Sequence, residues 1–452
     1  MGKLHAYTWV GVTAGSFIDR TLSCLVRYFH TLVVFGEDIQ NSYILIFKVT
    51  MQTWLGGIGI AWLLVQAVLL FVYRHTLAAY WREPVLRYPV LVFESDDWGA
   101  GPLEQAQALD ALRQILKSHR DQSGHYPVMT LGLILSIADT QAMSTAKNPD
   151  YIRITLDHAR FEPVLVALHA GIDEGVFAPQ LHGLEHYWPP AVIAAAKADA
   201  PVATWLKTNG LAYTEDLPSR LQSRWIDATS LPSQPLSETE IYAAVAEEIN
   251  VYMQIFGTKP VIAVPTTFIW SDEVERAWAA HGVRCVITPG TRYESRDRQG
   301  RPSGDGRVIL NGEHGQGDVM YLVRNNYFEP KLDHLAEKGL AALSLQTQCG
   351  RPTLLETHRF NFLGNPAQSK AALAELNRLL MEARARYSEL RFLSTQEIAD
   401  AIADQDTSLI ATTPRARIHA WLTRISQISR FWKLARLTGL AVPLWLLKKW
   451  AA

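Results

Sequence analysis

The chain has 452 residues, of which 48% are hydrophobic and 19% are charged, and its formal net charge is -1. This composition excludes a long disordered chain, which needs low hydrophobicity and high charge, and argues against a basic protein that coats nucleic acid. The cysteines Cys24, Cys285 and Cys349 are far apart and form no CxxC pair, which argues against a disulfide framework and a cysteine-ligated zinc.

An apolar stretch from Trp54 to Tyr73 follows an N-terminal segment, residues 1–53, and contains no charged side chain. A helix of this length reaches about 30 Å, the hydrocarbon thickness of a bilayer. The stretch is therefore predicted to be a single transmembrane helix, and the alternative is a helix buried in a core.

The flanks of this stretch predict its orientation. Lysine and arginine are more frequent after it than before it, with Lys48 before and Arg74, Arg82 and Arg87 after. Since such a bias marks the cytoplasmic side, we expect the large C-terminal part to lie on the cytoplasmic side of a bacterial inner membrane.

After a predicted linker, residues 74–87, strand-like apolar runs alternate with segments of helical periodicity. Val90–Phe93 is the first predicted strand, and Ser237–Glu240 has the pattern of a capping box that begins a helix. This alternation predicts a parallel α/β architecture, either an open sheet or a barrel, over residues 88–405. Such folds place their chemistry at the carboxyl ends of the strands, so the residues after each strand are candidates for a site.

Two adjacent carboxylates, Asp96 and Asp97, follow the first predicted strand. One interpretation is an acidic turn or a helix cap, with Gly99 providing the bend. The other is functional, with one aspartate binding a metal ion while its neighbour acts as a base. The pair alone leaves both interpretations open.

Two histidines follow the strand predicted over residues 176–181. His182 and His186 would lie on one face if the segment made a helical turn. Pairs with this spacing arise by chance among 14 histidines, so the spacing alone is a weak signal. The position of the pair at the end of a predicted strand is the stronger indication of a site. Together with Asp97 the pair completes three protein ligands, which is typical of a catalytic metal site with an open position.

A further histidine, His358, stands beside Arg359 directly after the strand predicted over residues 354–357. Taken alone, these residues are as typical of a surface turn as of a site. Their place at a strand end makes them candidates.

The last segment, residues 406–452, is basic. From Pro414 to Ala452 it contains eight lysines and arginines and no acidic residue. Apolar residues recur among these cations at helical spacing, namely Trp421, Ile425, Ile428 and Trp432. A basic amphipathic helix of this kind is typical of an anionic membrane surface, so membrane lipids are an expected partner. The alternative is a helix that packs back on the domain.

Residues 88–402 resemble the NodB-homology polysaccharide deacetylases, carbohydrate esterase family 4, and are most similar to an uncharacterised bacterial branch. The family has two adjacent aspartates after its first strand, a His-x-x-x-His motif and a late histidine. The matching segments are Ser95–Asp97, His182–His186 and Thr357–His358, with branch-like features in Pro179–His186, Arg324–Pro330 and Thr357–Phe362. The resemblance implies a distorted (β/α) barrel, one divalent metal ion and hydrolysis of an acetamido group on a glycan.

The resemblance also implies roles for single residues. Asp97, His182 and His186 would hold the metal ion, expected to be zinc. Asp96 would be the general base, and His358 would be the general acid that protonates the leaving amine.

The chain departs from the family at the arginine that is thought to hold the base. Ala263 stands where that arginine would be, two residues before Pro265. Arg324 and Arg359 are the candidates to replace it, and Arg359 is expected to be catalytic.

The expected substrate is an acylated, specifically N-acetylated, glycan or lipid-linked sugar of surface polysaccharide metabolism. Aromatic residues near the motifs, Trp98, Tyr187 and Trp188, either stack on sugar rings or pack in the core. Together with Arg324 they are the candidates for substrate contact.

Two other functions remain open. His182–His186 also satisfies HxxEH, a metalloprotease pattern with Glu185 as the base. That pattern needs a long helix, which Gly183 and the prolines after Trp188 disfavour, and it leaves the aspartate pair unexplained. The second alternative is a non-catalytic glycan-binding protein on the same fold, which the missing arginine would favour.

Overall fold

The computed structural model describes residues 37–145, 151–208 and 213–452. The described residues divide into two units, the first ending at Val72 and the second beginning at Tyr73. In the first, helix α1 spans Glu37–Val72, and its part Phe47–Val72, with a mean hydropathy of 2.3, is long and apolar enough to cross a membrane. The sidedness expected from the arginines remains a prediction.

The second unit is built on a sheet of nine strands. Their bounds are β1 Val90–Gly99, β2 Met129–Ile134, β3 Phe177–Gly183, β4 Ile262–Ala263, β5 Cys285–Thr288, β6 Met320–Val323, β7 Asn326–Tyr327, β8 Thr353–His358 and β9 Arg391–Phe392. Three short antiparallel pairs lie outside this sheet, formed by Ser136–Ala138 with Arg153–Thr155, Ile226–Asp227 with Gln234–Pro235, and Ser295–Arg296 with Pro302–Ser303.

The order of the strands is β6-β5-β4-β3-β2-β1-β8-β7, and β9 pairs with the first two residues of β1. Every pairing in this sheet is parallel. The α/β alternation is thereby confirmed. Among the described residues β6 and β7 do not pair with each other, so the sheet is a half-barrel, which matches the distorted (β/α) barrel that the resemblance implied.

Helices connect and cover the strands. Their bounds are α2 Arg74–Arg82, α3 Gln105–Lys117, α4 Thr140–Thr145, α5 Glu162–Asp173, α6 Pro189–Ala196, α7 Ala200–Trp205, α8 Glu238–Phe256, α9 Asp272–His281, α10 Ala336–Gln348, α11 Pro366–Arg386, α12 Thr395–Ala403, α13 Pro414–Ser426, α14 Ser429–Leu437 and α15 Ala441–Ala451. The capping box at Ser237 and Glu240 is confirmed, and α8 ends at Gly257 with a φ of 71°. A cap of this kind contributes about 1 kcal/mol to stability.

The core lies between the sheet and its helices. All ten residues of β1 are buried, including its polar ones. On α3, Leu109, Leu112 and Leu116 recur at helical spacing and are fully buried, because this face of the helix packs towards the sheet. A central strand that is apolar at its start and carries carboxylates at its end delivers those carboxylates to one edge of the sheet.

Two predicted regions differ from expectation. Part of the predicted linker forms α2, and Trp421 of α13 packs edge-on against Trp81 and donates a hydrogen bond to the Leu77 carbonyl at 3.0 Å. Arg424 is fully buried and donates to backbone carbonyls, among them that of Cys349 at 2.7 Å. The face of α13 that was expected on a membrane therefore packs against protein, because those carbonyls and α2 offer it partners.

Candidate active site

The aspartate pair lies inside β1, at a β-bulge. The register of β1 against β2 shifts between Ser95 and Trp98, and Asp97 has a φ of 72°. Successive side chains of a regular strand point to opposite faces, and a bulge with one left-handed residue changes that direction. As a result Asp96 and Asp97 both approach His182 Nε2, at 4.0 Å and 3.6 Å.

Asp97, His182 and His186 form a buried cluster. One ligand atom from each lies within 4.8 Å of the others, and Asp97 Oδ1 is 3.4 Å from His186 Nε2. β3 continues through His182 to Gly183, whose φ of 131° favours glycine. The turn after a strand, and not the expected helical turn, brings the two histidines together.

The cluster fits a divalent cation. His182 Nδ1 donates to the Val264 carbonyl at 2.9 Å, so Nε2 is the ring nitrogen that faces Asp97, at 3.6 Å from its Oδ1. Asp97 Oδ1 is buried and accepts no hydrogen bond from the described residues. Burial lowers the pKa of His186 to about 4 despite the attraction of Asp97, so this imidazole is neutral at pH 7. Two imidazole nitrogens and one carboxylate oxygen are a donor set suited to zinc.

Asp96 is held by Arg324, which follows β6. Nη1 donates to Oδ1 at 3.2 Å and Nη2 donates to Oδ2 at 2.5 Å. Burial would raise the pKa of Asp96, but Arg324, and after it His182, outweigh burial and lower it, so the carboxylate is ionised. Gly132 on β2 leaves room for Asp96, because a Cβ there would lie 2.3 Å from Oδ1.

Two more carboxylates surround the same guanidinium. Glu94 Oε2 lies 3.3 Å from Nη1 of Arg324, and Glu356 Oε2 lies 3.3 Å from its Nε. Burial raises the pKa of both glutamates more than Arg324 lowers it. Both glutamates are therefore protonated more readily than a free glutamate, which limits the cost of burying three carboxyl groups around one cation. Arg324 is therefore enclosed by carboxylates, and the substrate contact expected of it is not available.

His358 lies at the end of β8, opposite Asp96 in the register with β1. Its Nδ1 donates to Glu329 Oε1 at 2.6 Å, and Asn361 donates to the other oxygen of Glu329. Burial would lower the pKa of His358, but the bond to Glu329, followed by the charge of Asp97, raises it to about 10. His358 is therefore protonated at neutral pH, and its Nε2 lies 3.9 Å from Glu356 Oε1.

Arg359 does not contact Asp96. Its Nε and Nη2 donate to the two oxygens of Glu215, each at 3.0 Å. The side chain is buried, and Nη1 has no hydrogen-bond partner among the described residues. Of the two arginines predicted to replace the family's arginine, Arg324 contacts the aspartate and Arg359 instead pairs with Glu215.

Two of the three aromatic candidates are fully buried. Trp98 donates to Ser95 Oγ at 2.8 Å and stacks on Phe362. Tyr187 accepts from the Ala138 amide at 3.0 Å. Both pack in the core, so the stacking on sugar rings expected of them is not available, whereas half-buried Trp188 lines a cleft of about 840 Å³ between α6 and α8.

Glu185 is committed to a structural network. Its side chain is fully buried, accepts from Arg224 Nη1 at 2.6 Å and from Ser136 Oγ at 2.9 Å, and pairs with Arg153 at 2.8 Å. A carboxylate with these partners is not free to take a proton from water. This arrangement speaks against the HxxEH metalloprotease alternative.

Four residues beside the site were missed at the level of sequence: Glu94, Glu215, Glu329 and Glu356. Glu329 stands in the segment Arg324–Pro330, whose composition was noted without a role for the glutamate. Glu94 and Glu356 lie on β1 and β8, and the sequence pattern gave neither of them a role. Glu215 has no local signal, because only the folded chain brings it to Arg359.

A family model, glycosyl hydrolase family 57, matches residues 210–328. This stretch is less than half of the 452-residue chain, and it holds Arg324 and Glu215 but none of the Asp97, His182 and His186 cluster. No curated protein matches the chain.

Solved structures of carbohydrate-active proteins are weakly similar. A 4-alpha-glucanotransferase from Thermococcus litoralis has 9% identity and a TM-score of 0.35, with coverage of 69% of this chain and 40% of that chain. A peptidoglycan deacetylase from Bacillus subtilis has 11% identity and a TM-score of 0.33, with coverage of 71% and 95%. A family 4 carbohydrate esterase from Streptomyces lividans in complex with acetate has 11% identity and a TM-score of 0.29, with coverage of 68% and 92%. These values are too low to show a family, so the functional proposal rests on the geometry of the site.

Proposed function

We propose that the chain is a metal-dependent hydrolase that removes an N-acetyl group from a glycan or a lipid-linked sugar. One observation carries the proposal. A buried Asp97, His182 and His186 cluster lies beside an ionised carboxylate, Asp96, and a protonated imidazole, His358, on neighbouring strands.

Asp97, His182 and His186 would hold one divalent cation, for which zinc is the best match to the donor set. Bound there, the cation would act as a Lewis acid that polarises the acetyl carbonyl and makes water a better nucleophile. The open position that three protein ligands leave is what a substrate or a water needs.

Asp96 and His358 move the two protons of the reaction. Asp96 takes a proton from the attacking water while the water oxygen bonds to the acetyl carbon. His358 gives its Nε2 proton to the amide nitrogen as the carbon–nitrogen bond breaks, because an amine anion is a very poor leaving group. The products are acetate and a free amino sugar.

The neighbours of these two residues set their protonation. Arg324 keeps Asp96 ionised and oriented through two hydrogen bonds. Glu329 holds Nδ1 of His358, so that Nε2 is the nitrogen that carries the transferable proton. An ionised base next to a protonated acid is the pairing that this hydrolysis requires at neutral pH.

A second candidate is hydrolysis of a glycosidic bond, which the glycosyl hydrolase model over residues 210–328 favours. That reaction needs two carboxylates on either side of the bond and no metal ion. The non-catalytic glycan-binding alternative shares the fold and lacks turnover.

The test is acetate release by the full chain from an N-acetylated oligosaccharide, with the metal content measured on the same sample. We expect acetate release that Asp96→Asn reduces at least 100-fold while the bound metal is retained. The matched control is Asp110→Asn, because Asp110 is exposed and forms an ion pair with Arg113, three residues along the same helix, α3. Cleavage of glycosidic bonds without acetate release would refute the proposal and favour the glycosidase function. A protein that shows no turnover and binds no metal would favour the non-catalytic glycan-binding function.

A further inference from the structure

The last helix, α15, has an exposed apolar face. Val442, Trp445, Leu446 and Trp450 recur at helical spacing and are 61%, 49%, 55% and 59% exposed. The opposite face, which includes buried Ala451, packs against α13. Two tryptophans and two aliphatic side chains on one free face are more than the scattered apolar residues of an ordinary surface.

Exposed cations occur on the preceding helix and on α15 itself. On the preceding helix, α14, the side chains of Arg430, Lys433 and Arg436 are exposed and lie on one face at intervals of three residues. On α15, Lys449 Nζ lies 4.1 Å from the centre of the Trp445 ring. No acidic residue occurs between Thr407 and Ala452. A surface with this charge is complementary to an anionic partner.

The position of these helices in the chain is the third observation. The ring of Phe431 on α14 packs against that of Tyr73, with centres 5.2 Å apart. Tyr73 is the residue after Val72, where the helix that can cross a membrane ends. The residue that directly follows the apolar helix therefore contacts α14.

We propose that the exposed faces of α14 and α15 dock on an anionic phospholipid bilayer. Trp445, Leu446 and Trp450 enter the interface between headgroups and acyl chains, and the lysines and arginines contact lipid phosphates. Lys449 extends its charged end past the Trp445 ring towards the headgroups, as long cationic side chains do at interfaces. If α1 crosses the same bilayer, it acts as a tether that keeps a weak docking surface occupied.

The test uses the full chain in lipid nanodiscs, with an environment-sensitive fluorophore at Leu446→Cys. Cys24 is replaced by serine, while Cys285 and Cys349 are buried. One set of discs contains phosphatidylcholine alone and the other also contains phosphatidylglycerol. The matched control carries the fluorophore at Met381→Cys, an exposed position on α11.

We expect blue-shifted emission, and quenching by nitroxide-bearing lipid, at position 446 in the anionic discs only, with neither at position 381. Added salt should weaken both signals. Reversing the charges of Arg430, Lys433 and Arg436 to glutamate should lower the ratio of docked to free helix by at least about fivefold for each cation. The salt response is measured on the chain with its cations intact, so it does not depend on the folding of the triple variant.

Three results would overturn the proposal. A water-exposed fluorophore at position 446 in anionic discs would show that the face does not reach the bilayer. Equal protection in neutral and anionic discs would show that charge has no role. Protection in detergent that rises with protein concentration would assign the face to a second copy of the chain.

Discussion

The pair of Glu329 and His358 allows a sharp prediction about the pH dependence of turnover. Glu329→Gln keeps the size of the side chain and removes its charge. The 2.6 Å bond from Nδ1 then ends on a neutral oxygen, and the main cause that raises the pKa of His358 to about 10 is lost. We therefore expect the alkaline limb of the activity profile, where the general acid loses its proton, to move to lower pH.

The size of the movement follows from the strength of the bond. A hydrogen bond to a charged group contributes about 1.5–3 kcal/mol, and one pKa unit corresponds to about 1.4 kcal/mol. The alkaline limb should move down by about 1–2 pH units. His358 is 27% exposed, so the lower end of this range is the safer expectation.

The assay is the pH dependence of kcat for acetate release, with the metal content of each variant measured in parallel. Asp318→Asn is the matched control, because it removes the carboxylate of another His–Asp pair, with His314, that is exposed and 2.8 Å long. An alkaline limb that stays in place in a folded, metal-loaded Glu329→Gln protein would refute the role of Glu329. A loss of metal together with activity would show a structural role instead.

The same pair predicts how stability changes with pH in the metal-free protein. Because folding raises the pKa of His358 above its ordinary 6.5, the stabilisation is complete below pH 6.5. It declines as pH rises and is lost through about pH 10. The difference in the free energy of unfolding between the wild type and Glu329→Gln should therefore be larger at pH 6.5 than at pH 10.

Four further predictions concern the rest of the site. Gly132→Ala should lower kcat at least tenfold with metal retained, because the new methyl group would displace Asp96 Oδ1; equal kcat would show that Asp96 has room to move. Arg324→Gln should reduce turnover and destabilise the fold by about 3–5 kcal/mol in chemical denaturation, since it leaves buried carboxylates without their cation. Arg359→Ala should lower turnover with little loss of metal, and unchanged turnover would refute a catalytic role for Arg359. A chelator should abolish acetate release and zinc should restore it in the wild type, whereas Asp97→Asn should stay inactive after zinc is added.

The predicted ligands could be found from the sequence because they follow strands. Strand runs such as Val90–Phe93 are local patterns, and the carboxyl ends of parallel strands share one edge of the sheet. Asp97, His182 and His186 were therefore predicted to meet without any knowledge of their neighbours. The resemblance to a deacetylase family added expected roles, and those roles remain to be tested.

The partners of these residues could not be predicted in the same way. Asp96 and Arg324 are separated by 228 residues, and no local pattern links them. The burial of Trp98 and Tyr187 also depends on what packs around them. Their positions next to the motifs suggested substrate contact, but the folded chain buries both side chains. The burial of α13 could not be predicted either, because its basic residue Arg424 donates hydrogen bonds to backbone carbonyls of distant segments.

The sequence by itself determined the apolar helix before Tyr73, the alternation of strands and helices, and the residue types at the strand ends. These features follow from local periodicity and from the length of an apolar run. Only the tertiary structure decided that the sheet stays open, that a bulge turns both aspartates towards His182, and that Arg324 holds one of them. Those outcomes depend on contacts between distant segments and on burial, which are properties of the folded chain as a whole.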